Sequence, residues 1–232
     1  MSSFVLKIIG IISMLCDHYS DVIIGENTYL NLIGRIALPI FAFQTAQSYI
    51  HSSNIKKYML RLFIFACISQ FSFFVYKTMF GTKVELNVLF TFLFGIFALI
   101  AYDKIKNNYL GFSVVVIISL IAELLKTDFR WFGVACVFMF YIYSKSIDRK
   151  YEIKKLILLF VAFVVLVILF YLKQIILYPD NIIFILKVIL STCMALIPIY
   201  LYNGKRGYKI KYLFYIFYPL HFLVLWLLNI FI

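Results

Sequence analysis

A carboxylate and an imidazole lie side by side near the end of the first apolar segment, at Asp17 and His18. An ionisable group inside a bilayer costs roughly a few kcal/mol, so chains rarely keep one without a use. Both side chains are of types that transfer protons, which makes His18 a candidate base and Asp17 the group that orients it. Neighbouring side chains on a helix point about 100° apart, so an alternative stays open. In that alternative, Asp17 pairs with Arg35, and a carboxylate from Glu123 or Asp128 orients the imidazole.

Further polar residues stand at the ends of later apolar segments or in the loops beside them. They are Arg35, Asn87, Thr91, Glu123 and Asp128. Asn87 and Thr91 are one helical turn apart and share a face. With the chain orientation argued below, all of these residues lie near the outer leaflet together with Asp17 and His18, which predicts one shared site. The alternative is a set of independent residues that each reach the membrane surface.

A polar stripe runs along one helix face of the second apolar segment. It consists of Gln44, Gln47, Ser48 and His51. The stripe leads toward a basic loop, so it predicts either a polar track from the cytoplasm to the outer site or amides that hydrogen-bond to neighbouring helices. Pro39 lies between Arg35 and the stripe and is expected to kink the helix.

Composition identifies the elements that must position these residues. Of the 232 residues, 65% are hydrophobic, whereas a soluble domain is nearer half apolar. The excess extends along the whole chain, so we predict an all-α polytopic transmembrane helical bundle that forms a single domain over residues 1–232. About nine spans are expected, with eight or ten as alternatives. They are Ser3–Ser20, Leu32–Ile50, Tyr58–Tyr76, Asn87–Tyr102, Tyr109–Leu125, Trp131–Tyr143, Leu156–Leu172, Ile182–Tyr202 and Tyr212–Ile232.

Basic residues orient the bundle. The even-numbered loops carry fourteen Lys and Arg residues and the odd-numbered loops carry five. Because cytoplasmic loops are enriched in these residues, the N-terminus is predicted inside and the C-terminus, after nine spans, outside. The net charge of +12 is attributed to these loops and to contact with anionic lipid or an anionic cofactor. Nucleic-acid binding is not expected, since the basic residues form no continuous patch.

The four cysteines are far apart, each inside an apolar run, with no CxxC or Cys/His cluster. They are interpreted as small core residues, and neither a disulfide framework nor a metal site is expected. The first apolar segment lacks a small-residue cleavage site and holds Asp17 and His18. We therefore expect it to be retained rather than removed as a signal peptide.

Several segments, taken together and in order, resemble the TraX family of integral-membrane proteins. They are Asp17-His18, the run from Gly34 to Phe43, the run from Lys57 to Leu62 with Ser69-Gln70, the run from Leu86 to Thr91, Thr127-Asp128-Phe129 with Phe132-Gly133-Val134, the run from Tyr202 to Gly207, and the run from Phe217 to His221. The sequence departs from the family pattern at two places. Gln47 and Ser48 stand where an acidic residue and Gly are expected, and Arg130 stands where Gly is expected.

The resemblance implies acetyl transfer from acetyl-coenzyme A. The namesake of the family acetylates the N-terminal amine of conjugative pilin, and the family is similar to membrane acyltransferases that modify extracytoplasmic sugars and place a His in the first span. A cytoplasmic acetyl-CoA donor, no metal, and an extracytoplasmic acceptor that is a pilin amine or a cell-envelope glycan are therefore expected. His18 would act as the base, Arg35 would bind the developing oxyanion or a coenzyme phosphate, and Asn87 would donate a hydrogen bond.

Residues that bind the phosphates of acetyl-CoA are expected on the cytoplasmic side. The candidates are Lys56, Lys57, Arg61, Lys205 and Arg206, with Tyr218 and His221 in the last span added to the same set. The alternative for the basic residues is the positive-inside signal alone. For His221 it is a structural role, because a lone buried His is more often structural than catalytic.

Other interpretations lead to different classes of protein. Asp17 and Arg35 could form a buried ion pair between spans, and Glu123 could pair with Lys126 three residues later. Intramembrane Asp, His and Arg also serve proton relays, which is consistent with a small-molecule or proton-coupled transporter. A third class is a non-enzymatic assembly factor that binds prepilin or another envelope protein.

Overall fold

A computed structural model describes residues 1–25, 28–81, 85–145, 152–208 and 212–231. This part of the chain is helical, with no β-strand apart from one isolated bridge between Leu86 and Thr127. The α-helices are α1 (Ser3–Tyr19), α2 (Tyr29–Gly34), α3 (Ala37–His51), α4 (Ile55–Met79), α5 (Val88–Lys104), α6 (Asn108–Leu124), α7 (Arg130–Lys145), α8 (Glu152–Leu177), α9 (Ile182–Met194), α10 (Leu196–Tyr200) and α11 (Leu213–Phe231). A π-helical turn at Ser20–Ile24 follows α1, and a 3₁₀ turn at Pro179–Asn181 precedes α9. The predicted all-α class is confirmed.

Five helical segments of the described chain are long and apolar enough to cross a membrane. They are Ser3–Ile24, Ile55–Met79, Lys154–Leu177, Pro179–Tyr200 and Leu213–Phe231. The other four predicted spans correspond to helices of 15 to 17 residues. The protein is therefore an all-α membrane protein. Its orientation stays a prediction, and five of the basic residues counted for it lie outside the described residues. These are Lys83, Arg149, Lys150, Lys209 and Lys211.

Helix α8 shows how a span is built for a lipid environment. Its buried residues, Leu159, Phe163, Val167 and Tyr171, recur at every fourth position and form one narrow stripe. Most of the remaining side chains of this helix are apolar and exposed. An apolar surface of this width suits hydrocarbon rather than water.

Two predicted spans are interrupted, each shortly before a proline. The second span breaks at Arg35 and Ile36, so that Pro39 becomes the third residue of α3. A proline ring clashes with the carbonyl four residues earlier, whereas in the first helical turn its missing N–H removes no intrahelical bond. The expected kink at Pro39 is therefore a helix break at Arg35. The eighth predicted span breaks in the same way at Ala195, three residues before Pro198.

The chain divides into two compact units. The first comprises Met1–Phe41 and Ser146–Ile210, and the second Ala42–Lys145 and Lys211–Ile232. Each unit is described below by itself, and the expectation of a single domain stays a prediction. Of the outer-side candidates, Asp17, His18 and Arg35 belong to the first unit. The others, Asn87, Glu123 and Asp128, belong to the second unit. The expectation that all of these residues form one shared site therefore also stays a prediction.

Candidate functional site

The first unit places Asp17 and His18 in the last turn of α1, and the chain then continues into the π-helical turn. Helical turns of this kind are rare and often occur at functional sites. Both side chains are half-buried. The π-helical turn carries a second carboxylate, Asp21, on the same stretch of chain.

Asn31, in the first turn of α2, connects these carboxylates. Its side chain is buried, and its Nδ2 donates to Asp17 Oδ1 at 3.1 Å and to Asp21 Oδ1 at 2.7 Å, with a longer contact to the Asp17 carbonyl at 3.3 Å. Its Oδ1 accepts from the Thr28 backbone N–H at 3.0 Å and from Ser20 Oγ at 3.2 Å. Asn31 therefore binds to both sides of the helix junction.

Sequence reasoning did not identify Asn31. The available signal was Thr28, which caps α2 three residues earlier in a capping-box arrangement with Asn31. That pattern indicates the start of a helix, but it does not indicate that the amide reaches back to α1. The contact to Asp17 joins residues 14 positions apart and exists only after the chain has turned.

Arg35 forms an ion pair with Asp17, which was the predicted alternative to Asp17 orienting the His18 ring. Its Nη2 lies 3.5 Å from Asp17 Oδ1. The pair depends on a close approach of α2 to α1 at Gly34. A Cβ atom at residue 34 would lie 2.3 Å from the Asp17 Cβ and 2.9 Å from its Cα. Only glycine fits there, because these distances are far below van der Waals contact.

Tyr171 adds a phenol to this site from helix α8. It is buried, its side chain hydrogen-bonds with Thr192 of α9, and it interacts electrostatically with Arg35 and Asp17. In the sequence, Tyr171 is an ordinary aromatic residue in an apolar helix, so no local pattern identifies it. We refer to Asp17, Asp21, Asn31, Arg35 and Tyr171 as the first-unit site.

The loop that carries Lys205 and Arg206 is attached to the start of α1. Backbone N–H groups of Ser3 and Phe4 donate to the carbonyls of Lys205 and Arg206 at 2.8 and 3.1 Å. Gly207 has a φ of +73°, and a Cβ there would lie 2.6 Å from Ser2 Oγ. Both basic side chains are exposed, so they are available to an anion from solvent.

In the second unit, Asn87 is the N-cap of α5 and is fully buried. Its Nδ2 donates to the Ala66 carbonyl at 2.8 Å and to Gln70 Oε1 at 2.9 Å, and its Oδ1 accepts from the Leu89 N–H at 3.0 Å. Both amide hydrogens are thus in use. Donation to an oxyanion would require one of these hydrogen bonds to break first.

Glu123 pairs with Arg130 at 3.0 Å rather than with Lys126, so the predicted alternative partner is wrong. Arg130 also contacts Glu85 at 3.1 Å. Its φ of +47° lies in the left-handed region, which explains why glycine is expected at this position. The two carboxylates hold the arginine side chain in place despite this backbone conformation.

Asp128 and the polar residues of α11 also belong to the second unit. The Thr91 hydroxyl donates to the Asp128 carbonyl, and the Asp128 carboxylate interacts electrostatically with Tyr218. His221 is buried, with its Nδ1 3.1 Å from the Phe217 carbonyl and its ring stacked on that of Phe217. This enclosure by its own helix favours the structural alternative for His221.

Arg61 is half-buried, whereas the other cations of the predicted donor-binding set are exposed, including Lys56 and Lys57 beside it. Its Nε is buried without a hydrogen-bond partner, and no carboxylate of the described residues pairs with it. Its neighbours are phenols. Tyr215 hydrogen-bonds with Arg61, and Tyr58 interacts with it electrostatically. A partly buried guanidinium with hydroxyl neighbours and no carboxylate is suited to an anionic ligand.

The polar stripe of α3 makes contacts between helices. Gln47 Nε2 donates to Ser144 Oγ of α7 at 2.7 Å, which agrees with the hydrogen-bonding interpretation for this amide. His51 is exposed.

Asp103 lies one residue beyond the predicted span Asn87–Tyr102 and joins three helix ends. It accepts from Tyr49 at 2.8 Å, from Lys145 at 2.9 Å and from Tyr141. Burial raises the pKa of the Asp103 carboxyl, but hydrogen bonds from Tyr141, Lys145 and Tyr49 outweigh that effect. The pKa therefore lies below its ordinary value.

Fold and sites together define a polytopic helical membrane protein with a charged site at the end of its first helix. The chain belongs to the TraX family, because the family model described as "TraX protein" matches residues 2–229. It is also 26% identical over 237 residues to the probable fimbrial assembly protein FimC, serogroup H1, of Dichelobacter nodosus. That match covers 95% of this chain and 92% of the relative. No solved structure gives a significant match. The resemblance seen in the sequence is confirmed.

Proposed function

We propose that this protein is a membrane-embedded acetyltransferase that takes part in pilus or cell-envelope assembly. Family membership supports a role of this kind, and the relative described as a fimbrial assembly protein is consistent with it. The observation that carries the proposal is the first-unit site. There the Asp17 carboxylate and the Arg35 guanidinium form an ion pair at the end of an apolar helix, where Gly34 allows α2 to approach α1 closely. The His18 imidazole is on the residue next to Asp17 in the same helix.

The proposed reaction moves an acetyl group from the sulfur of acetyl-CoA to an amine or hydroxyl. The acceptor atom bonds to the thioester carbonyl carbon, the carbon–sulfur bond breaks, and the sulfur leaves as a thiol. His18 takes the proton from the acceptor and returns it to the leaving sulfur. Arg35 stabilises the negative charge that develops on the carbonyl oxygen, and Asp17 holds the guanidinium in position.

Binding of the donor is assigned to the cationic residues on the predicted cytoplasmic side. Arg61 is the strongest candidate, because its Nε has no hydrogen-bond partner and its neighbours are phenols rather than carboxylates, so that a phosphate oxygen would complete its hydrogen bonding. Lys56 and Lys57 in the first turn of the same helix add positive charge near its N-terminus. Lys205 and Arg206, exposed on their attached loop, belong to the proposed donor-binding set of the first unit.

The orientation of the chain follows from the same proposal. Acetyl-CoA is a cytoplasmic metabolite, so the basic loops face the cytoplasm and the N-terminus is inside, while the acceptor approaches from the extracytoplasmic side. The acceptor is an extracytoplasmic amine, such as the N-terminus of a pilin, or a hydroxyl of an envelope glycan. Asn54 and Tyr109 are predicted on the cytoplasmic side of the bundle, and Gly81 on the extracytoplasmic side. Cysteine-accessibility labelling at these three positions would test this orientation.

The proposal is tested by comparing cells with and without the gene. Mass spectrometry of surface proteins and envelope polymers should show an acetyl modification that is lost without the gene and in the His18→Ala variant. The variant must accumulate in the membrane at the wild-type level. Tyr19→Ala changes an exposed neighbour on the same turn and should retain the modification. Wild-type acetylation in His18→Ala would exclude His18 as the base.

The description of the relative also favours a second candidate, a non-enzymatic assembly factor. Such a protein would bind an envelope or pilus component without chemistry. The triple variant His18→Ala, Arg35→Ala and His221→Ala separates the two. Retained biological activity in that variant supports the assembly factor, and loss together with a missing acetyl group supports the enzyme.

A further inference from the structure

The first-unit site contains a carboxylate that the proposed mechanism does not use, and a buried amide that joins it to Asp17. Asp21 Oδ1 and Asp17 Oδ1 both lie within 3.1 Å of Asn31 Nδ2. A primary amide nitrogen carries two hydrogens, one for each carboxylate. We propose that Asn31 is the positioning residue of this site, which bridges Asp17 and Asp21 and thereby sets where the Asp17 carboxylate meets Arg35. This inference rests on the proposed function for its catalytic consequence, but not for the bridge itself.

Distances indicate that Asn31, rather than Arg35, determines the position of Asp17. The Asn31 nitrogen is at hydrogen-bond distance from Asp17 Oδ1, 3.1 Å, whereas Arg35 Nη2 is 3.5 Å from the same oxygen. The amide is itself held from behind, since its Oδ1 accepts from Thr28 and Ser20. Its orientation is therefore defined independently of the carboxylates.

The bridge also counteracts an electrostatic conflict. Two carboxylates that share one nitrogen repel each other, and a neutral donor between them reduces that repulsion without adding charge. Among the described residues, the charged or titratable groups near Asp17 include His18 on its own helix, Arg35 at the end of α2 and Tyr171 on α8. Leucine at position 31 would have a similar size but no donor, and aspartate would add a third carboxylate.

A thermal double-mutant cycle in detergent tests the bridge. Asp21→Asn alone should lower the melting temperature, because it weakens the 2.7 Å hydrogen bond from Asn31. In an Asn31→Leu background the same change should raise the melting temperature, because it removes one of two facing charges. This reversal of sign is the expected signature. If Asp21→Asn lowers the melting temperature equally in both backgrounds, the bridge is refuted.

Asn107→Leu is the matched control. Asn107 is likewise an asparagine at the start of a helix, as the N-cap of α6, but it belongs to the second unit. Asp21→Asn should therefore have its ordinary destabilising effect in that background. Should Asn31→Leu fail to accumulate, membrane accumulation is measured in place of melting. The double variant must then accumulate better than the single variant, and equal or poorer accumulation refutes the bridge.

The catalytic consequence is measured separately. Asn31→Leu should lower kcat for acetyl transfer by about tenfold or more with little change in KM, because Asp17 and Arg35 are displaced while the binding residues are intact. Asp21→Asn should restore part of this loss. The positioning role is overturned if the activity of Asn31→Leu falls only in proportion to the fraction of folded protein and Asp21→Asn restores none of it. If wild-type protein transfers no acetyl group, the proposed function fails, while the thermal cycle still decides the bridge.

Discussion

Substitution of Gly34 by alanine tests whether the close approach of α2 to α1 builds the first-unit site. The added methyl carbon would lie 2.3 Å from the Asp17 Cβ, 2.6 Å from its Cγ and 2.9 Å from its Cα. Carbon atoms pack at about 3.5–4.0 Å, so the two helices must separate locally by about 1 Å or more. Since one of the contacted atoms is backbone, a side-chain rotation alone cannot relieve the clash.

The energetic cost has two parts. Overpacking typically costs about 1–3 kcal/mol. A separation of this size would also lengthen the 3.1 Å hydrogen bond from Asn31 to Asp17 beyond its range, and hydrogen bonds to charged groups contribute about 1.5–3 kcal/mol. A total of about 4 kcal/mol corresponds to a fall in melting temperature of about 10 °C for a chain of this size.

The assay is thermal unfolding of the purified protein in detergent, followed by tryptophan fluorescence, together with acetyl transfer measured from labelled acetyl-CoA. Gly34→Ala should lose both stability and activity. Gly10→Ala is the matched control. Gly10 lies on α1, the helix that Gly34 approaches, and a Cβ there would meet only the side-chain ends of Phe41 and Ile40, at 3.0 and 3.3 Å. It should keep its activity and lose less than half as much stability. A Gly34→Ala protein that melts within about 2 °C of wild type refutes the packing argument.

Two further predictions concern the second unit. Arg61→Gln should raise KM for acetyl-CoA by about tenfold with little change in kcat, because it removes a charge that is assigned to donor binding and not to the chemical step. The exposed Lys106→Gln is the control, and an unchanged KM for Arg61→Gln would remove Arg61 from donor binding. Asp103→Asn should lower the melting temperature at neutral pH. Because the pKa of Asp103 is depressed in the folded protein, its stabilising effect is present above the ordinary carboxyl pKa and is lost as pH falls through the folded value. The difference between wild type and Asp103→Asn should therefore shrink on acidification. A gap that grows at low pH would contradict the assignment.

Much of the fold follows from local patterns in the sequence. Apolar runs bounded by short polar loops predict each span, and within the described residues each of the nine predicted spans consists mainly of one or two helices. The breaks near Arg35 and Ala195 were also within reach of local reasoning, because a proline disturbs the carbonyl four residues before it. The prediction placed the disturbance at Pro39 itself, and that position was wrong because the third residue of a helix tolerates proline.

The candidate site was only partly predictable. Asp17, His18 and Arg35 were identified because ionisable residues in apolar segments are conspicuous. Asn31 and Tyr171 were not identified, because amides and tyrosines are common at membrane interfaces and their types alone do not indicate a role. Arg130 was recognised as a departure from the family pattern, but its two carboxylate partners could not be inferred from its position in the chain.

The sequence by itself determined the helical class, the membrane environment, the family and the presence of a carboxylate–imidazole pair at the end of the first helix. These depend on composition and on periodicity within a few turns, where side-chain order and helix geometry are directly related. Only the tertiary structure decided which groups share a hydrogen bond. The contact of Asn31 with Asp17, and the proximity of Tyr171 to both Asp17 and Arg35, depend on how closely separate helices pack. At Gly34 that packing is governed by the absence of a single methyl group.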